Sequence, residues 1–413
     1  MLKSSTILFL LISLGASGKS PSSWQFRYEI LLSQFQKKFD PTVNPNSFAF
    51  FLPTRNVTLD NRFEAKWIVN NAKIIVRPEW TIVRNDYENQ NSNTYGKLDL
   101  TNLFWEQKWN RNLFSTFGLD VYQWGPGELF NPSNCFFRFN SQQQSYTYVE
   151  KGQALLRFNR TFSKQLNLIV IVQPISNHEE YWLYDYAFKP QATVKIEFKK
   201  RGTRNSLGFL TGVEGQGSPF IGEYGGYGFN GGVSIYFDSK SSLGLKYYKP
   251  ELVGTTYDMT ISESEPKAWT HLSLVGIRYE GDLDLRFEYI NNSAGLDTSH
   301  YNNALASISY SLSPNFVSNT QKFFHSGLNF LSKNYFYVSL RYPEPFSIKN
   351  FNAYLRRFTS QLDQSAMSQF EFDKSISDRA TAFFSYSNFT GPDNSELRLF
   401  DQWRVLGGFK VTF

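Results

Sequence analysis

The sequence predicts an all-β chain: a transmembrane antiparallel up-and-down β-barrel of about 18 strands, roughly 16 to 20, with one inward-folded loop. Three observations carry this. Apolar and polar residues alternate with a period of two along most of the chain, and turn residues separate the runs. Aromatic residues fill 18% of the 413 positions, 40 of them Phe and 24 Tyr, which is the material for girdles at two membrane interfaces. The chain closes on QWRVLGGFKVTF, an alternating segment that stops on an aromatic residue.

In chain order, residues 1–18 read MLKSSTILFLLISLGASG, with Lys3 before an apolar run from Ile7 to Leu14 and small residues at Ala16 and Gly18. This is the pattern of a secretory signal peptide, too short for a spanning helix. Its removal takes Lys3 with it, lowers the formal charge of +6 by one, and leaves residues 19–413 as a single β-barrel domain. No cysteine follows the cut, which argues against a lipid anchor, and the lone Cys135 excludes an intramolecular disulfide framework. Mean hydropathy is −0.39, and no later run approaches the roughly 20 apolar residues of a spanning helix. The small basic excess is no nucleic-acid signal, so no nucleic-acid partner is expected.

The strands show two faces. Phe63, Ala65, Trp67 and Val69 alternate with Arg62, Glu64, Lys66 and Ile68; Val194, Ile196 and Phe198 alternate with Thr193, Lys195 and Glu197; Leu283, Leu285, Phe287 and Tyr289 alternate with Asp284, Arg286 and Glu288. Links of two lengths separate the strands. Short ones fall at Ser377–Asp378, Glu280–Asp282, Asp238–Ser241, Arg201–Arg204, Ser163–Lys164 and Asn110–Arg111. Long ones fall at Arg84–Gly96, Gly125–Glu150, Ser176–Gln191, Glu214–Gly226, Glu251–Lys267, Asn292–Asn302 and Asn388–Leu399. Their alternation is that of a barrel with short periplasmic turns and longer external loops, and only the stretch Ser313–Asn334 breaks it. In the last strand Trp403, Phe409, Val411 and Phe413, with Val405, share one face; this resembles the C-terminal signal read by the barrel-assembly machinery, an expected partner beside outer-membrane lipid and lipopolysaccharide.

With the apolar face toward lipid, the opposite face lines a lumen. It receives Arg62, Lys66, Lys73, Arg77, Arg157, Lys195, Lys199, Arg286, Arg356, Arg404 and Lys410, against Asp60, Glu64, Glu79, Asp99, Glu197, Asp284 and Glu288. Eleven cations against seven anions predict a wet, mildly basic interior, although each single charge is more simply a cross-strand ion pair. Chemistry is sparse. Of the four histidines, His178, His271, His300 and His325, only His271 shares a face with a nearby hydroxyl, Ser273, and no third group orients it. No HExxH, cysteine cluster or calcium loop occurs, so no catalytic residue, metal or cofactor is expected. The acidic loops Ile261–Glu265 and Glu179–Asp185 are solvated rim charges or, less simply, a surface cation site, and the glycine-rich Gly222–Gly232 is a loop entering a strand.

One link differs from the rest. From Gly125 to Glu150 the only charges are Glu128, Arg138 and Glu150, while Leu129, Phe130, Phe136, Phe137, Phe139, Tyr146 and Tyr148 are apolar or aromatic. Such a loop needs burial, and the lumen offers it without a second protein, as in porins whose third loop narrows the channel. Trp124, Gly125, Pro126, Gly127, Glu128, Phe130, Asn131, Asn134 and Arg138 are its expected constriction residues. Gly125 and Gly127 would permit the reversal, and Pro126 and Pro132 would stiffen the path.

The segment FGLDVYQWGPGELFNPSN also resembles the WGPG…SN segment of Wzi-type capsule-assembly outer-membrane barrels, with Trp124, Gly125, Pro126, Gly127, Ser133 and Asn134 matching. The resemblance implies a plugged barrel that binds surface polysaccharide, for which Trp182, Tyr184 and Tyr186 are candidate sugar-stacking residues. Composition and pattern alone favour a porin-like, non-enzymatic passage for small neutral or anionic solutes in a Gram-negative outer membrane.

Overall fold

A computed structural model describes residues 22–39, 52–88, 91–139, 147–176, 189–200, 205–215, 217–263, 268–309, 313, 315–324, 328, 330–392, 395–398 and 401–413. Residues 1–18, expected to be a signal peptide, lie outside them. The first eleven strands are β1 (Ser22–Phe39), β2 (Arg55–Val69), β3 (Ala72–Asp86), β4 (Ser92–Lys108), β5 (Leu113–Asp120), β6 (Gln153–Thr161), β7 (Leu166–Gln173), β8 (Gln191–Lys199), β9 (Ser206–Val213), β10 (Pro219–Gly228) and β11 (Val233–Leu243). A separate hairpin follows, β12 (Lys246–Val253) with β13 (Thr256–Glu263). The wall then resumes with β14 (Trp269–Glu280), β15 (Asp284–Asn292), β16 (Asn334–Pro343), β17 (Phe351–Ser360), β18 (Ala366–Ser377), β19 (Ala380–Thr390) and β20 (Asp401–Thr412).

Eighteen of these strands, all but the hairpin, pair antiparallel with their neighbours in one sheet, and β1 pairs with both β2 and β20, so the sheet is closed. Closure leaves no unpaired edge, the condition for crossing hydrocarbon with strands. At the seam Ile30 lies opposite Val411 and Leu32 opposite Phe409. The Phe413 amide donates to the Tyr28 carbonyl at 2.8 Å, and the Tyr28 amide donates back at 3.2 Å.

The alternation read from the sequence maps onto inside and outside. Val194, Ile196 and Phe198 point outward and are more than 40% exposed, whereas Thr193 and Lys195 are buried inside. At the end that carries Ser22 and Phe413 the links between barrel strands are two to seven residues long, and at the other end five to 41.

Five expectations are corrected, the first being the long link at Arg84–Gly96, which shrinks to residues 87–91 between β3 and β4. Asp238–Ser241 is no turn but the middle of β11, and the true turn is residues 229–232. Glu214–Gly226 is not one loop either, since β10 begins at Pro219. The long link at Glu251–Lys267 contains most of the β12–β13 hairpin. The link placed at Asn292–Asn302 runs from 293 to 333, and its described residues include two helices, α1 (Thr298–Ser307) and α2 (Phe316–Phe324), which removes the apparent break in alternation near Ser313. Asp297 caps α1, accepting from the His300 amide at 2.9 Å. Hairpin and helices share a small apolar cluster with Tyr248, Met259, Tyr301, Ala304 and Phe323 at its centre.

Candidate functional site

The described residues of the link between β5 and β6, 121–139 and 147–152, fold into the barrel, and their polar groups explain how. Gly125 turns the chain at φ +100°, and a Cβ there would run into Asn131 Oδ1 and Asp238 Oδ2, so glycine is required on both counts. The Gly127 amide donates to Asn131 Oδ1 at 2.8 Å. Trp124 Nε1 donates to Ser133 Oγ at 3.0 Å, and Ser133 in turn donates its amide (2.6 Å) and hydroxyl (3.1 Å) to Asp238 on β11. Asn134 Oδ1 accepts from the Phe136 and Phe137 amides. The short motif is thus a self-bonded turn tied to the wall by one buried carboxylate.

Apolar burial fixes the rest. Trp124, Cys135, Phe136 and Phe137 pack on the inner faces of β6, β7, β9 and β10 through Leu155, Ile169, Ile171, Leu210, Phe220 and Tyr224. Leu129 and Phe130 pack on β11 and β14 to β17 through residues such as Leu274, Ile290, Tyr335 and Phe358. Phe130 meets Phe330 edge-on, ring centres 4.8 Å apart. Full burial of aromatic side chains of this size is worth about 2–3 kcal/mol each, enough to hold the loop inside.

Charges sit between loop and wall. Arg138 reaches Glu214 at 2.6 Å, which also accepts from Lys240 (2.8 Å) and Ser242 (2.6 Å). Burial opposes ionisation of Glu214, yet Lys240 and Arg138 hold its carboxyl down to about 2. Lys195 is caged by the rings of Tyr122, Trp124 and Tyr224 at 5.0 to 5.5 Å. Arg157 lies 4.2 Å over the Tyr122 ring and pairs with Asp120 at 3.2 Å. Glu128 projects farther across: it pairs with Arg286 (3.3 Å) and Arg356 (3.7 Å) and accepts from Ser339 at 2.5 Å. The returning limb touches the opposite wall, where Arg62 Nη2 donates to the Thr147 carbonyl at 3.0 Å.

Between these limbs lies a cavity of about 490 Å³ lined by Arg62, Arg278, Arg286, Arg341, Arg356 and Lys410, with Glu128, Asp284 and Glu371 as its acids. Tyr148 and Tyr354 add aromatic surface. Six cations and three carboxylates thus line a confined space, and Glu29, Asp60, Glu79 and Glu280 pair with Arg62, Arg278 and Lys410 from its margin.

The residues expected at the loop and lumen fall into groups. Arg62, Arg286 and Arg356 line the cavity, whereas Arg157 and Lys195 face inward but lie beneath the loop. Arg77 pairs with Glu64, Arg404 with Asp401, and Lys66 sits on β2 in phase with Arg62. Arg278, Arg341, Asp238 and Lys240 were missed. Arg278 follows Leu272, Leu274 and Gly276 on one face, which reads as an apolar face until the loop that covers its upper part is known. His271 bonds not to Ser273 but to Ser241 of the neighbouring strand, Nδ1 to Oγ 2.7 Å. His178, His325 and the acidic stretch Glu179–Asp185 lie outside the described residues, and among the described residues no group of three metal-ligating side chains occurs.

No family model matches the chain, and no curated protein matches it. Solved structures do. Acinetobacter baumannii OccAB3 matches with TM-score 0.50 and 12% identity over 95% of this chain and 99% of that one. The outer membrane protein opdK of Pseudomonas aeruginosa matches with TM-score 0.52 and 9% identity over 94% and 99%, and Pseudomonas aeruginosa OpdL with 0.55 and 8% over 95% and 99%. The likeness is one of fold. The Wzi-type resemblance of Trp124–Asn134 finds no support in it.

Proposed function

We propose that the chain is an outer-membrane channel that passes small hydrophilic solutes, anionic ones preferentially, with the loop between β5 and β6 narrowing the path. The cavity carries this reading: six cations and three carboxylates line it, and the apolar part of the loop is packed away against the opposite wall, leaving polar atoms along the open side. A passage needs charges near enough to draw a solute in and paired enough to let it go, and Arg286 and Arg356 are paired in this way, both by Glu128 and each by a wall carboxylate, Asp284 and Glu371. The fold is shared with an outer membrane protein, and another matching structure is of OpdK with vanillate, a carboxylate. By the usual rule for such barrels, the end with long links faces outward from the cell.

The test is conductance of the purified protein in planar bilayers under a salt gradient. Discrete openings with an anion-selective reversal potential are expected. A well-folded barrel that gives no conductance, or cation selectivity, would overturn the reading. The residues expected to stack on sugar in a glycan-attachment role, Trp182, Tyr184 and Tyr186, lie outside the described residues.

A further inference from the structure

The outward wall carries a polar patch where lipid should lie. On β14 the outward residues are Trp269, His271, Ser273, Val275, Ile277 and Tyr279. Trp269 and Tyr279 are aromatics of the kind that mark the two interfaces. They are about 34 Å apart along the strand, or about 26 Å along the membrane normal at a tilt of about 40°, which matches the apolar band of such barrels. His271 and Ser273 therefore lie inside the band. The register extends the patch sideways: Glu223 on β10 faces Ser239 on β11, Ser239 faces Ser273, and Ser273 faces Asn291 on β15. One rung up, Ser241 faces His271.

The neighbouring outward residues on β8 and β9, Val194, Ile196, Phe198, Leu207 and Phe209, are apolar. Bonds within the patch are few. Ser239 donates to Glu223 at 3.4 Å, Ser241 meets His271 at 2.7 Å, and Glu223 and His271 remain exposed. A polar or ionisable side chain against hydrocarbon is costly and marks a site that something other than lipid covers.

We propose that a second copy of this chain covers it, in a dimer whose two-fold axis runs along the membrane normal beside β11. Copies inserted by one route keep one orientation, so the patches meet at equal depth. The axis brings the Ser239 and Ser241 columns together, small side chains that let backbones approach. It also sets β14 of each copy against β10 of the other, so that the strand bearing His271 faces the partner's strand bearing Glu223, the one acidic residue on the outward face of β10. This complementarity between an imidazole N–H donor and a carboxylate acceptor is what favours a second copy over a foreign protein. The Ser241–His271 pair is no hydrolase by itself: among the described residues nothing bonds its Nε2 to orient the ring.

Cysteine cross-linking in native membranes tests the interface. Cys135 is buried and silent. Ser239→Cys is expected to give a disulfide-linked species of twice the monomer mass on mild oxidation, while Leu32→Cys, outward on β1 at the far side, is expected to stay monomeric. Glu223→Leu combined with Ser273→Val, in the Ser239→Cys background, should cut the cross-linked fraction several-fold while heat-modifiable migration, the sign of a folded barrel, persists. A monomer that never cross-links through Ser239→Cys, cross-linking to a protein of another mass, or fatty-acid release from phospholipid vesicles that Ser241→Ala abolishes would each overturn the proposal.

Discussion

The Ser133 amide and hydroxyl both donate to the carboxylate of Asp238, at 2.6 and 3.1 Å, across 105 positions of sequence. All three groups are buried. Replacing Asp238 with Ala leaves the two donors without an acceptor, and Trp124 loses the fixed hydroxyl it donates to. The expected cost is about 2–4 kcal/mol, felt mostly by the loop because the wall keeps its ladder. Asp238→Ala is expected to show larger, noisier single-channel currents. It should also allow Cys135, unreactive in the folded parent, to be alkylated by a maleimide under native conditions. Unchanged currents together with a protected thiol would show that Asp238 is not what ties the loop down.

Glu128 is the loop's one carboxylate on the cavity and sits between Arg286 and Arg356. Glu128→Gln keeps an acceptor for Ser339 but removes the negative charge. A shift of about 0.5–1 kcal/mol in an anion's energy at this point, modest for a unit charge a few Å away in salt, is about a two- to five-fold rise in the anion-to-cation permeability ratio. Reversal potentials under a salt gradient measure it. A fall in the ratio would place the ion path elsewhere.

The barrel was legible because its lipid and lumen faces differ in chemistry, as at Val194, Ile196 and Phe198 against Thr193 and Lys195. β11 was not, and for a physical reason. Its inner residues Asp238, Lys240 and Ser242 are polar because the loop's Ser133 and the carboxylate of Glu214 bond to them, and its outer residues Ser239 and Ser241 belong to the patch proposed as an interface. With both faces polar, the period of two vanishes and the run resembles a turn. The inward loop was legible from the mismatch between its apolar content and water, but its partners, more than a hundred residues away, were not. The helices α1 and α2 were hidden by the expectation of strands in a segment whose true partners are the β12–β13 hairpin and each other.

Phe413 extends the strand that closes the seam, bonded through its backbone to Tyr28 and with rings 6.1 Å apart. Its side chain is 61% exposed, so little of the folded barrel's stability rests on it. Phe413→Ala is therefore expected to lower the yield of folded barrel in the outer membrane several-fold while changing the unfolding midpoint of the folded fraction by less than about 1 kcal/mol. Heat-modifiable migration and urea unfolding separate the two. Equal losses in both would mean a packing role rather than an assembly signal.

At the end with long links, three links are clasped by two half-buried carboxylates. Glu396, between β19 and β20, accepts from the Tyr335 hydroxyl (2.6 Å), the Leu331 amide (3.0 Å) and Ser332 Oγ (3.0 Å). Asp363, between β17 and β18, accepts from the Glu396 amide (2.6 Å) and the Tyr301 hydroxyl (2.9 Å) of α1. Burial pushes the Glu396 carboxyl up to about 7, and the nearby Asp363 adds to it against the bonds from Tyr335 and Leu331. A carboxyl raised from its ordinary 4.5 favours the clasped state while protonated. Its contribution is full below about pH 4.5 and is lost as pH rises through about 7, a swing of about 3 kcal/mol at most. Asp363 works in the opposite direction, since its hydrogen bonds outweigh burial and hold it below its ordinary value; it loosens the clasp only under stronger acid. Hydrogen exchange of residues 293–309 and 330–333 is therefore expected to be slower at pH 5 than at pH 8, and Glu396→Gln, neutral at both, should be slow at both. Exchange that does not change between pH 5 and pH 8 in the parent would mean that Glu396 is ionised throughout and that solvent reaches it.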